Sequence, residues 1–189
     1  MEHRDSERPT KKTDARTRHT RETIRKAFVE LLREKPFSSV QLKEVCSRAG
    51  IHRSTFYRHY HDAEDWLAHA ELELIHRVAA TAEMARSSTG VERAIRAELE
   101  ILREDIEFTE VVFAYGSPDL ASRMFSVVGP GRMRFDGTEP ESTWYASFVS
   151  GGCSAVISSW VHNGMQEPPG QVAAYVQRLL SDVRLPSVP

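Results

Sequence analysis

The chain holds 189 residues, 40% apolar and 28% charged, a composition that describes a folded protein rather than a disordered tail. No apolar run approaches the roughly 20 residues of a membrane span. The charged start MEHRDSERPTKKTDAR leads into no apolar stretch, so no secretory signal is expected and the default location is cytoplasmic. The formal charge of −2 hides a division: residues 1–60 carry 15 basic and 8 acidic side chains, whereas the other 129 carry 10 and 19. A basic head on an acidic body points to a polyanion met by the head alone.

Residues 1–17 lack apolar periodicity and are expected to form a mobile arm. From Thr20 onward Ile24, Ala27, Phe28, Leu31 and Leu32 fall on one face of a 3.6-residue helix, which Pro36 stops. Leu42, Val45, Cys46 and Ala49 predict a second short helix with Gly50 at its C-terminal cap. Ile51 follows, and His52–Tyr60 reads as a third helix. Asp62, Glu64 and Asp65 supply a cap and first-turn acids for a fourth, whose Leu67, Ala70, Leu74 and Val78 face inward until the Ser87–Gly90 break.

The second half also reads as helical. Ile95, Leu99, Leu102 and Ile106 predict an amphipathic helix from about Val91 to Phe108, and a short one is expected through Leu120 and Met124. Residues 129–140, GPGRMRFDGTEP, are rich in turn formers and read as an irregular loop. Between Glu141 and Asn163 apolar groups fall on nearly every side, so that helix is expected to be enclosed by neighbours. Val172, Tyr175, Val176, Leu179 and Leu180 form the stripe of a last helix. The fold class is all-α. The expected divisions are the arm at 1–17, a helix-turn-helix domain at 18–62 and a helical regulatory and dimerisation domain at 63–189.

The informative spacing lies in residues 39–60. Two short helices joined by Ala49-Gly50-Ile51 make a helix-turn-helix. Its second helix turns Arg53, Ser54, Thr55, Tyr57, Arg58 and His59 outward, a set of donors, short hydroxyls and aromatic edges suited to the major groove. The stretch from Gly50 to His61 holds no acid, as repulsion from phosphate requires. Ala49, Ile51 and Phe56 read as core, and Tyr60 as packing on Phe56. His59 and His61 diverge by about 200° on a helix, which makes a poor metal pair. Cys46 and Cys153 read as buried apolar residues, too few for a disulfide framework or a four-ligand zinc site.

The run TRETIRKAFVELLREKPFSSVQLKEVCSRAGIHRSTFYRHYHDAEDWL resembles the N-terminal domain of TetR/AcrR-type transcriptional regulators, over about a quarter of the chain without a gap. The segment FVSGGCSAVISSWVHNGMQEPPGQVAAYV more loosely resembles the final helix pair of DhaS-like members. The resemblance implies a homodimer on double-stranded DNA, with a body that often takes a small effector. It makes Arg53, Ser54, Thr55 and Arg58 candidates for base contacts. Tyr57, His59, Gln41 and Lys43 become candidates for phosphate contacts. The chain departs from the family pattern at Gln41, His52 and Ala63.

No H-E-x-x-H, G-x-S-x-G, Walker loop or G-x-G-x-x-G is present, so no catalytic residue, metal or cofactor is expected. The expected function is a DNA-binding transcriptional regulator, a ligand-responsive repressor acting as a homodimer on a palindromic operator. The alternative is a partner-binding co-regulator, or a small-molecule sensor with little DNA affinity of its own. Phe113, Tyr115, Trp144 and Phe148 are candidates to line a pocket for a small apolar or aromatic effector. The dimer is expected to form from the two last helices as a four-helix bundle, with Gly151, Gly152 and Ala155 allowing close approach.

Overall fold

The computed structural model describes residues 11–85, 91–128 and 139–182. Among them are α1 (Lys11–Glu34), α2 (Leu42–Arg48), α3 (Arg53–Phe56), α4 (Ala63–Ala85), α5 (Val91–Glu104), α6 (Ile106–Tyr115), α7 (Leu120–Val128), α8 (Glu139–His162) and α9 (Pro169–Asp182). No strand occurs among the described residues. The chain divides into two compact units, Met1–Trp66 and Leu67–Pro189, so the division falls four residues beyond the expected one.

Several boundaries correct the sequence reading. The first helix begins at Lys11, so residues 11–17 of the expected arm are helical; residues 1–10 lie outside the described residues. The third helix is only Arg53–Phe56, because the chain then tightens, with Arg58 N donating to Thr55 O at 3.3 Å and His59 N to Phe56 O at 2.8 Å. The single helix expected over 91–108 is two. Asp105 leaves helical dihedrals at φ −136° and accepts from Phe108 N at 3.2 Å, which caps α6, while the Thr109 hydroxyl donates to Leu102 O at 2.8 Å. Residues 129–138 of the expected loop and the 87–90 break lie outside the described residues.

In the first unit the core gathers Ile24, Phe28 and Leu31 of α1, Val45 and Cys46 of α2, Phe56 and Tyr60. Trp66 stacks on Phe28 with ring centroids 3.9 Å apart, and Phe56 lies 6.3 Å from Phe28 and 5.6 Å from Tyr60. In the second unit α5 packs against α9, and α8 against α6 and α7. Glu71 of α4, only 6% exposed, fixes the turn after α6: it accepts from Ser117 N at 2.6 Å, from the Ser117 hydroxyl at 2.9 Å and from Arg123 at 2.8 Å. Gly116 permits that approach, since a Cβ there would stand 2.8 Å from Glu71 Oε1 and 2.4 Å from Val112 O.

The α8 helix is enclosed on one side only. Val149, Cys153, Ile157, Trp160 and Val161 are buried. Trp144, Phe148, Gly151, Gly152, Ala155 and Ser159 are all exposed, and at 100° per residue they form one stripe opposite the buried face. The α9 stripe also divides: Val172 and Val176 are buried, whereas Tyr175 and Leu179 are exposed.

Candidate nucleic-acid interface

The turn between α2 and α3 sets the site. Gly50 takes φ +64°, its N–H donates to Ser47 O at 3.2 Å, and Ile51 N donates to Cys46 O at 3.0 Å. This paired closure ends a helix in a left-handed residue and turns the chain sharply; a Cβ at that φ costs roughly 1–2 kcal/mol. Phe56, with no exposed surface, then anchors α3 to the core through Phe28. With one side fixed, Arg53, Ser54, Tyr57 and Arg58 stand exposed, Tyr57 at 56%, while Thr55 and His59 are half-buried. Gln41 and Lys43, at the start of α2, are exposed as well. All eight candidate DNA contacts therefore belong to α2, α3 and the residues that border them.

The charges of this unit fall into two sets. Lys35 donates to Glu44 Oε2 at 2.6 Å, and that oxygen also accepts from Gln41 N at 3.0 Å. The Lys35 bond, followed by the Gln41 bond, holds the Glu44 carboxyl below its usual range. Arg48 makes a two-point contact with Glu34, at 2.6 and 3.1 Å, joining α2 to α1. These cations are already neutralised within the protein. Lys43, Arg53 and Arg58 have no carboxylate within 4 Å among the described residues. The Arg58 guanidinium donates to the Thr55 hydroxyl at 3.3 Å, a long bond that a base edge or phosphate can replace.

His59 is held below its ordinary value by burial first, then by the charges of Arg21 and Arg58. It is therefore a neutral ring at pH 7, offering one N–H. Arg21 is exposed on α1 and was not singled out by the sequence. Its charge reaches His59 across a separation that no local motif records. Cys46 is buried, and burial raises its thiol, so it packs rather than reacts.

The four expected effector residues sit on two helices, α6 and α8. Trp144 and Phe148 are 69% and 66% exposed, and Phe113 and Tyr115 are half-buried on α6. An open cleft of 810 Å³ lies between α8 and α9, bordered by Ala155, Trp160, Gln171, Tyr175 and Arg178 and by none of those four. Among the described residues no helix is long and apolar enough to cross a membrane, and no three potential metal ligands cluster.

Residues 24–68 match the family described as bacterial regulatory proteins, tetR family, and residues 92–182 match a transcriptional regulator C-terminal region. The curated relative YxbF of Bacillus subtilis, an uncharacterized HTH-type transcriptional regulator, is 36% identical over 58 residues. That match spans 30% of this chain and 15% of the length of YxbF. A TetR transcriptional regulator from Streptococcus agalactiae shares the fold at a TM-score of 0.64 and 19% identity, over 88% of this chain and 96% of that one. FadR of Bacillus subtilis, solved in complex with stearoyl-CoA, shares it at a TM-score of 0.60 and 15% identity, over 85% and 97%.

Proposed function

This chain belongs to the TetR family of bacterial transcriptional regulators, and on that premise we propose that it is a homodimeric, ligand-responsive repressor of a palindromic operator. The observation that carries the DNA contact is the sorting of charge: Lys35 and Arg48 are spent on carboxylates, while Lys43, Arg53 and Arg58 stand exposed beside the α2–α3 turn. In this reading Arg53, Ser54, Thr55 and Arg58 touch base edges, where arginine meets guanine with two bonds. Gln41, Lys43, Tyr57 and His59 hold phosphates and set register.

The α8 stripe supports the dimer. A Cβ added at Gly151 or Gly152 would meet nothing within 4 Å, so packing inside one chain does not require glycine there. A second backbone lying against the stripe does, and it would cover Trp144, Phe148, Tyr175 and Leu179. Trp144 and Phe148 thus move from an effector pocket to an interface. The proposed regulation is linkage: a ligand that prefers a head spacing unsuited to the operator lowers DNA affinity by its own preference between the two states. The ligand held by FadR on the same fold supports a ligand-bearing second unit.

The test is selection of bound fragments from genomic DNA, followed by gel shift and footprinting on the best site. An inverted repeat with half-sites roughly 34–36 Å apart, or a multiple of that, is expected. An asymmetric footprint occupied by a monomer overturns the dimeric reading, and equal affinity for all fragments overturns the operator.

A further inference from the structure

The second unit shows how this chain treats a buried carboxylate that has a structural task, and it holds a second one treated otherwise. Glu71 receives donors from Ser117 and Arg123. Glu98 of α5 is 1% exposed, and neither of its carboxyl oxygens has a hydrogen-bond partner among the described residues. Its neighbours along the same helix face are Ile95, Leu99 and Leu102, each at most 1% exposed. Burial pushes its pKa up to about 8, and among the described residues no basic side chain offsets it. The Cys153 thiol of α8 senses Glu98 and is itself pushed up to about 11, chiefly by burial, so it stays a neutral thiol and offers the carboxyl no opposite charge. A carboxyl left bare in an apolar interior is costly, and such groups call for an account beyond packing.

The chemistry of the surroundings narrows what can complete it. A metal ion needs several oxygen or softer donors, and no group of three ligands exists among the described residues. A hydroxyl donates one bond and leaves the other carboxyl oxygen bare. An organic ammonium supplies both charge and up to three donors, and the aliphatic neighbours ask for an apolar body behind it. We propose that Glu98 is the recognition group for an apolar molecule bearing a protonated amine, bound within the helices of the second unit. The proposal rests on the ligand-responsive reading above and names the class of ligand.

Because Glu98 is 1% exposed, such a ligand reaches it only when the helices around α5 part. Binding and conformational change are therefore one event, as operator release requires. The proton balance is explicit. Free Glu98 is protonated at neutral pH, the amine arrives as ammonium, and forming the ion pair releases one proton from the carboxyl to solvent. Affinity then rises about tenfold per pH unit below the Glu98 value of about 8 and levels off above it.

The experiment uses the full chain with hexylamine, phenethylamine and decylamine as probes, and decanol and decanoate as controls. Thermal shift and titration calorimetry are run from pH 6 to pH 9. At least one amine is expected to raise the melting temperature and release a proton on binding. Glu98→Gln should weaken that amine about ten- to a hundredfold and abolish the pH dependence. Glu98→Met should melt higher than wild type without ligand and ignore amines; if it does not fold, Glu98→Gln decides. The proposal is overturned if decanol or decanoate binds as well as decylamine, if Glu98→Gln keeps the pH-dependent affinity, or if no amine binds at millimolar concentration. Gel shifts of the ligand-free chain keep the two readings apart: DNA binding without amine binding sinks the Glu98 site alone. Amine binding through Glu98 without DNA binding supports the site and sinks the repressor.

Discussion

Lys43 and Arg58 carry the same charge, yet their replacement by alanine should be read differently by DNA. Both are exposed and neither has a carboxylate within 4 Å among the described residues, so neither loss strands an acid inside the protein. Lys43 stands at the start of α2, where a phosphate contact adds about 0.9 to the slope of log K against log salt. Between 50 and 200 mM salt the logarithm changes by about 0.6, so removing one contact should shrink the loss of affinity over that range by about 3.5-fold. That reduction should be equal on operator and random DNA. Arg58 projects beyond the α3 turn, and a two-point bond to a base is worth about 1–3 kcal/mol of discrimination, or about 5- to 150-fold. Its loss should fall on operator DNA and relax one base position, with random DNA much less affected. Fluorescence anisotropy on both DNAs at four salt concentrations measures each quantity. Equal losses on specific and random DNA for both variants would refute the division of roles.

Three further outcomes follow from contacts already described. Leu179→Glu places a charge on the exposed α9 stripe and should yield folded monomers by light scattering, whereas Val176→Glu, at a site 2% exposed, should destabilise the second unit itself; a dimeric Leu179→Glu protein moves the interface elsewhere. Glu71→Ala leaves Ser117 N and Arg123 without their acceptor and should cost about 2–3 kcal/mol, lowering the melting temperature by about 4–12 °C in calorimetry. His59 is held below its ordinary value when folded, so the unfolded chain takes up its proton first, and stability should fall as pH drops below about 6.5. A phosphate beside His59 favours the charged ring, so DNA affinity should instead rise over the same descent, and a gel shift at pH 6 and 8 with His59→Gln as control checks the sign.

Where a structural signal is local, the residues announced it. The α1 stripe from Ile24 to Leu32, the glycine at position 50 and the stripe from Val172 to Leu180 each act through near neighbours, and the helices follow them. Asp105 shows the opposite case. In an amphipathic run it reads as one more surface acid, and only the bond from Phe108 N reveals a cap that splits the helix. The α8 helix misled for a different reason. Apolar residues on all sides predict enclosure, but two distinct apolar faces give the same composition, and only burial separates the one carrying Ile157 from the one carrying Phe148. In and just after α3 the exposure of Arg53, Ser54, Tyr57 and Arg58 was legible because Phe56 takes the core side of consecutive residues, whereas Thr55 and His59 are half-buried. The influence of Arg21 on His59, and the ion pairs that spend Lys35 and Arg48, join residues far apart along the chain and have no local trace.

The three tryptophans give this molecule a built-in optical readout. Trp66 is stacked flat on Phe28 in the first unit, and Trp160 is buried in the second, its indole N–H donating to Glu167 O at 3.0 Å. Trp144, at 69% exposure, faces water from α8 in an isolated chain. Iodide should quench Trp144 in the monomer and spare the other two. Association along α8 should withdraw it from the quencher and shift its emission to the blue. Melting of the first unit should appear in Trp66 as the ring stack opens, while Trp160 follows the second unit. Chains in which two of the three are changed to phenylalanine would each time one event alone, so that folding of either unit and pairing of the protomers can be followed separately in a single cuvette.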